Sequence, residues 1–147
     1  SSKAAFRRLL AHSDLTSPIW GCGTITPDMK AKLKADAVGA PLAGIDAVLL
    51  AVTLGENFGM EATAETAMPQ DTQAVIECVK NYILAFKAWA ADVPELVKVF
   101  DQIKFSTNGL TAKFSLSLSK AEFDKFISAM QKLAENPKEQ PKDKPQN

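Results

Sequence analysis

The sequence predicts an α+β fold with a mostly antiparallel sheet of about five strands, built from two ββα units with helices packed on one face. Two observations indicate this class. A hairpin pattern followed by a helical pattern occurs twice, at residues 45–91 and 104–134, with polar turns at corresponding places. A further strand pattern at residues 19–25 precedes both units.

The chain before the first unit contributes short elements. Residues 1–14 are predicted to form an N-terminal helix and linker, and the domain proper is predicted at residues 15–135. Gly21 and Gly23 within the first strand pattern indicate a bulge or the close approach of another backbone. Thr26 and Pro27 then favour a helix start, so a helix is predicted as far as residue 37, with Met29 facing inward.

The first ββα unit combines a buried strand, a half-buried strand and a long helix. Residues 45–54 are almost wholly apolar, which is typical of a strand buried on both faces. Residues 58–68 alternate between small apolar and polar side chains, which predicts one wet face. The helix from Pro69 carries seven residues at helical spacing, and we expect them to pack on the hairpin. These are Val75, Ile76, Val79, Tyr82, Ile83, Phe86 and Ala90.

The second ββα unit begins after a short helix near Pro94. Asn108 and Gly109 form the strongest hairpin-turn signal in the chain. Ser119 and Glu122 have the spacing of a capping box, which predicts the start of the last helix. Residues 136–147 contain three prolines and otherwise only polar or charged residues, so a disordered polar tail is predicted there.

Composition excludes several classes of function. Seventeen basic and seventeen acidic residues cancel, so no positive excess is available to attract nucleic acid or an anionic membrane. No apolar run approaches the ~20 residues that a transmembrane helix requires. The chain begins at Ser1, and we expect a processed form or a fragment of a longer protein.

The polar face of the predicted sheet is the candidate interaction face, because no helix remains to cover it. It comprises Glu61, Thr63, Glu65, Lys113, Ser115 and Ser117. Glu61 and Glu65 are four residues apart on one strand, hence about 13 Å apart. That separation exceeds the ~5–9.5 Å between the carboxylates of glycosidases. We therefore interpret the two glutamates as part of a solvated face.

No residue pattern indicates catalysis, a cofactor or a metal site. Cys22 and Cys78 are too few for a metal framework, and they are predicted to be either a disulfide or two buried thiols. His12, the only histidine, lies beside a polar loop and is interpreted as a surface residue. Gly21 and Gly23 are not followed by the Gly-Lys-Ser/Thr of a phosphate loop.

Two functions fit these features. The first is a non-enzymatic structural or protein-interaction domain, with a protein partner or self-association through the polar sheet face. The alternative is binding of a small molecule or lipid between the long helix and the sheet. Its expected lining is Met60, Met68, Phe86, Trp89, Phe123, Phe126 and Met130. An enzyme would require a charged cleft that gathers Glu61, Glu65, Lys113 and Cys22.

Three segments resemble uncharacterised exported proteins of bacteria. They are IWGCGTITPDMKAKL, PLAGIDAVLLAVTLGENFGMEATAETAMPQDTQAV and the LSLS that precedes the last helix. The resemblance covers residues 15–134 and implies an α+β fold of unknown function, in a periplasmic or lipoprotein-like protein. It also implies that this segment is the second half of a duplicated domain within a larger envelope protein. A periplasmic or exported location is therefore expected, with a cytoplasmic one left open.

Overall fold

The computed structural model describes residues 2–11 and 18–135, which form five α-helices, one 3₁₀ helix and five strands. The helices are α1 (Ser2–Ala11), α2 (Pro27–Ala35), α3 (Pro69–Trp89), α4 (Pro94–Asp101) and α5 (Lys120–Glu135), and the 3₁₀ helix is Ala40–Gly44. The strands are β1 (Ile19–Thr24), β2 (Ile45–Thr53), β3 (Asn57–Thr66), β4 (Lys104–Asn108) and β5 (Thr111–Ser119). His12 and the predicted tail at 136–147 lie outside these described residues.

The strands form one sheet in the order β1-β2-β3-β5-β4, and every neighbouring pair is antiparallel. The predicted α+β class and the five-stranded antiparallel sheet are confirmed. The order of elements is compatible with two ββα units, β2-β3-α3 and β4-β5-α5, whose hairpins join where β3 pairs with β5. β1 lies at the outer edge of the sheet, beside β2.

The helices are divided between the two faces of the sheet. The α3 face carries Val48 of β2, which packs in a core cluster with Val75 and Ile76 of α3. The α1 face carries Leu49, which packs against Leu9 of α1. The expectation that all helices cover one face therefore holds for α3, α4 and α5, whereas α1 covers the opposite face. The reason is that β2 is apolar on both sides, and its second apolar row also requires cover.

A bulge at the start of β2 sets which residues face which helix. Ile45 lies opposite Thr66, whereas Ala47 lies opposite Glu65, so Asp46 is the extra residue. As a result, Ile45 turns toward the α3 face and joins its core cluster. The side chain of Asp46 forms an ion pair with Lys30 of α2.

α3 does not pack on the hairpin along its whole length. Val75 and Ile76, in its first half, are buried against the sheet as predicted. Phe86 and Ala90, near its end, pack instead with residues of α4 and α5. Tyr82, which was expected to face the hairpin, is exposed. The middle of α3 therefore passes over the sheet without closing onto it.

Local signals in the sequence are mostly confirmed. Gly109 has a positive φ of 58°, which a glycine adopts without strain, and it turns the chain between β4 and β5. The Ser119 Oγ accepts a hydrogen bond from the Glu122 backbone N–H, and Glu122 accepts one from the Ser119 N–H. These two bonds constitute the predicted capping box. The prediction that Met29 faces inward is wrong, because the short α2 leaves it exposed.

Candidate functional site

An open groove of about 1000 Å³ lies between α3 and the sheet. Its floor consists of β1, β2, β3 and the middle of β5, and its roof is the middle of α3. No residue of the described chain that lines it is charged. Its apolar lining includes Ile19, Val48, Leu50, Val52, Met60, Ala62, Val79 and Ile83.

Two glycines of β1 leave the outer part of the groove floor without side chains. Gly21 lies opposite Leu50 and Gly23 lies opposite Val48, so both belong to the α3 face. A Cβ atom built on either glycine would meet nothing within 4 Å. The sequence predicted a bulge or a close approach of another backbone at these positions. Instead, the strand is regular and the space above it is open.

The roof is held above the floor by contacts at the two ends of α3. Near its start, Val75 anchors the helix on the sheet. Near its end, the Phe86 ring lies with its centroid 4.5 Å from that of Phe100 in α4, so this end rests on the helical layer rather than on β1 or β2. Val79 and Ile83, between the two anchors, are only half-buried. The groove follows from this arrangement.

Large apolar side chains on the floor remain in contact with water. Ile19 is 53% exposed and Leu50 is 46% exposed, although both point from the α3 face of regular strands. Strand residues with such side chains usually pack against another layer of the protein. Contiguous exposed apolar surfaces occur at protein-interaction sites, in ligand grooves and in aggregation-prone regions, so this surface is a candidate site.

The predicted lining of this site is mostly wrong. Of the seven residues expected, only Met60 lines the groove. Phe123 stacks on Phe58 at a centroid distance of 4.7 Å, and Phe126 packs in the clusters formed by α4 and α5. Phe86 belongs to the same helical layer, whereas Met68, Trp89 and Met130 are partly exposed elsewhere. Side-chain size alone did not distinguish core from cavity.

A second cavity, of about 450 Å³, lies on the α1 face and is polar. Glu65 Oε1 accepts a hydrogen bond from Arg8 Nε at 2.7 Å, and Glu65 Oε2 accepts one from Thr111 Oγ1 at 2.8 Å. Lys113 Nζ lies 3.2 Å from Glu61 Oε1. In this cavity Glu61 is paired with Lys113, and Glu65 is paired with Arg8. Cys22 does not line the cavity.

The predicted interaction face is divided by this arrangement. Thr63 and Glu65 are buried, because α1 lies over this part of the sheet. Glu61, Lys113 and Ser115 are half-exposed, and Ser117 is exposed. The face that was expected to be open is thus partly covered. A signal for the cover was present in α1, whose Ala5 and Leu9 are four residues apart and both buried.

The two cysteines are free thiols on opposite sides of the sheet, which corrects the disulfide alternative. Cys22 lies opposite Leu49 and packs on the α1 face. Cys78 belongs to α3, where it is buried and its Sγ lies 3.7 Å from the carbonyl oxygen of Val38. Burial raises the pKa of the Cys78 thiol. Among the described residues, no group of His, Cys, Asp and Glu is arranged to hold a metal ion.

Comparisons with known proteins give no relative. No protein-family model matches the chain, and no curated protein or solved structure matches it either. The resemblance to exported bacterial proteins therefore stays a prediction. Within residues 2–11 and 18–135, no helix is long and apolar enough to cross a membrane.

Proposed function

We propose that this chain is a non-enzymatic binding domain, and that the groove between α3 and the sheet holds an elongated apolar molecule such as a lipid acyl chain. The observation that supports this function best is the open, uncharged groove with Leu50 and Ile19 exposed on its floor. It corresponds to the alternative that the sequence left open, with a different set of lining residues.

The chemistry of the groove supports an apolar ligand. Ligand sites in proteins commonly have volumes of about 300–1,000 Å³, and this groove lies at the upper end of that range. Full burial of a side chain such as Leu contributes about 1.5–3 kcal/mol, so a ligand that covers the floor gains substantially. Because the groove lacks charged lining residues, any charged head group would lie at its mouth, in water.

The absence of catalysis is also part of the proposal. Glu61 and Glu65, the carboxylates of the polar cavity, are each paired with a basic side chain. An exported or periplasmic location would suit a domain that carries lipids between compartments.

Binding of N-phenyl-1-naphthylamine, an uncharged dye that fluoresces in apolar surroundings, tests the function. We expect saturable binding by the wild-type protein and displacement by hexadecanol. Leu50→Lys places a charge in the groove, whereas Leu54→Lys changes a leucine that is 54% exposed outside it. Leu50→Lys should weaken dye binding at least about tenfold, which corresponds to ~1.4 kcal/mol, and Leu54→Lys should leave it unchanged. Equal effects of the two substitutions would contradict the proposal.

A protein-interaction domain is the second candidate, and a specific observation favours it. The two flanks of α3 beside Ile83 expose Tyr82 and Leu84, the latter to 61%, within a helix segment that is apolar on nearly every side. Helices of that composition are usually buried. A photo-crosslinking residue at position 84 tests this candidate in the source cell. One discrete adduct of fixed mass would support it, and a smear or no adduct would count against it.

A further inference from the structure

The outer edge of β1 presents a row of unpaired backbone groups. The Ile25 N–H donates to the Asp46 carbonyl oxygen at 2.9 Å, and Ile25 continues the register in which Thr24 lies opposite Ala47. In an antiparallel ladder the direction of these groups alternates from residue to residue. The odd-numbered residues of β1 therefore bond to β2. Trp20, Cys22 and Thr24 direct their N–H and C=O groups away from the sheet, where no described strand pairs with them.

This edge lacks the features that usually prevent pairing. Edge strands are commonly protected by charged residues, prolines or bulges. β1 has the sequence IWGCGT, which contains neither charge nor proline, and its register with β2 is continuous. The opposite edge, β4, has the sequence KFSTN and includes Lys104. Of the two edges, β1 is the one that favours association.

We propose that two copies of the chain pair through β1 in an antiparallel, two-fold arrangement centred on Cys22, so that their sheets join. An antiparallel edge is complementary to itself, and an uncharged edge does not repel its own copy, which makes a second copy the partner that this strand fits. The N–H and C=O of Cys22 bond to those of Cys22 in the second copy, and Trp20 lies opposite Thr24 of the second copy. Pairing of the two strands also removes water from two exposed side chains, Ile19 on the α3 face of the sheet and Trp20 on the α1 face.

The pairing also extends the groove, and in this respect it goes beyond the proposed function. In this register, Gly21 lies opposite Gly23 of the second copy. Both glycines belong to the α3 face, where they have free space above them. The floors of two grooves therefore meet across bare backbone and form one continuous apolar trough. A longer or two-chained apolar ligand would fit the trough better than a single groove.

Sedimentation and cross-linking test the pairing in the full chain without added ligand. The joint is small, so we expect a dissociation constant of about 100 μM. Thr24→Pro removes an outward N–H while leaving the bonds from β1 to β2 intact, because Thr24 does not donate to β2. This variant should weaken dimerisation at least about tenfold while retaining the wild-type melting temperature.

Cys22 provides a second readout. Residues opposite each other in a hydrogen-bonded antiparallel pair have Cα atoms about 5.5 Å apart, which is within the ~4.4–6.8 Å range of disulfides. Diamide should therefore cross-link the Cys78→Ser variant into a covalent dimer and leave the Cys22→Ser variant monomeric. The Thr24→Pro change should suppress the cross-link.

Three outcomes would overturn the pairing: a monomer at 1 mM by sedimentation, a dimer unaffected by Thr24→Pro, or a dimer that is lost with Leu84→Lys and therefore lies on α3. The two proposals fail separately. Leu50→Lys should weaken dye binding and retain the Cys22 cross-link, whereas Thr24→Pro should suppress the cross-link and retain binding of the small dye.

Discussion

The Arg8 Nε lies 2.7 Å from Oε1 of Glu65, and this contact fastens the first helix to the sheet. The two residues are separated by 57 positions in sequence. The Glu65 side chain is almost fully buried, whereas the guanidinium remains partly in water. A buried carboxylate requires such partners, since its charge would otherwise lose hydration without compensation.

Arg8→Ala should destabilise the protein by about 1–2 kcal/mol, because it leaves Glu65 with the Thr111 hydroxyl as its remaining side-chain donor in the described chain. Urea denaturation measures this loss. Lys120→Ala is the matched control, since it removes an exposed ion pair with Asp124 four residues away in α5. We expect it to change stability by at most about 0.5 kcal/mol. Equal effects of the two substitutions would mean that α1 is not held by this contact.

Gly44→Ala should destabilise the packing of the 3₁₀ helix against α3. A Cβ atom at position 44 would lie 2.6 Å from the Cβ of Asp71 and 2.7 Å from its Cγ, so the two segments must separate. Overpacking of this kind costs about 1–3 kcal/mol. Gly55→Ala is the control, because its added Cβ meets nothing within 4 Å. A thermal melt that ranks the two variants equally would contradict the close approach.

The capping box should make the stability of α5 depend on pH. The backbone N–H of Ser119, followed by its side chain and Gln102, lowers the pKa of Glu122. A folded-state pKa below the unfolded value, about 4.3 for Glu, means that the charge stabilises the fold above that pH. This contribution is lost as the pH falls through the folded pKa.

Glu122→Gln tests this dependence by urea denaturation between pH 7 and pH 3. The wild type should be more stable at pH 7, and the difference should shrink as the pH falls. Glu56→Gln, in the exposed turn after β2, is the control for a general loss of negative charge. An NMR titration that finds the Glu122 carboxyl at or above its ordinary range would count against the cap.

The two thiols should react at different rates with Ellman's reagent. Cys78 is buried and its pKa is raised by burial, so little thiolate is present at pH 7.5. Cys22 is half-buried on an edge strand and should react first. The Cys22→Ser and Cys78→Ser variants separate the two rates. If the thiol left in Cys22→Ser were the faster of the two, α3 would be packed differently.

Local patterns in the sequence were sufficient to predict most of the helices and strands. The positive φ of Gly109 and the capping box at Ser119 depend on neighbours within a few residues, and both are present in the structure. Such features are determined by backbone preferences and local hydrogen bonds, so they can be predicted without knowledge of the tertiary contacts.

The sites could not be predicted in the same way, because they depend on what lies opposite each residue. The helical spacing of Val79, Ile83 and Phe86 is the same whether the helix rests on a sheet or on other helices, and in the structure α3 changes its support along its length. The amphipathic pattern of α1 likewise does not reveal which sheet face it covers. Likewise, the register of β1 was needed to show that Cys22 faces α1 and therefore lies on the opposite side of the sheet from Cys78.

The most direct test of the central claim is a set of NMR distance restraints between hexadecanol and methyl groups of the protein. Intermolecular nuclear Overhauser effects to Val48, Leu50, Val79 and Ile83, without any to Leu54 or Leu84, are the predicted result. They would place the alkyl chain between the floor and the roof of the groove. Contacts confined to Leu84, or no contacts at millimolar hexadecanol in detergent-free mixed solvent, would contradict the assignment of this groove as a ligand site.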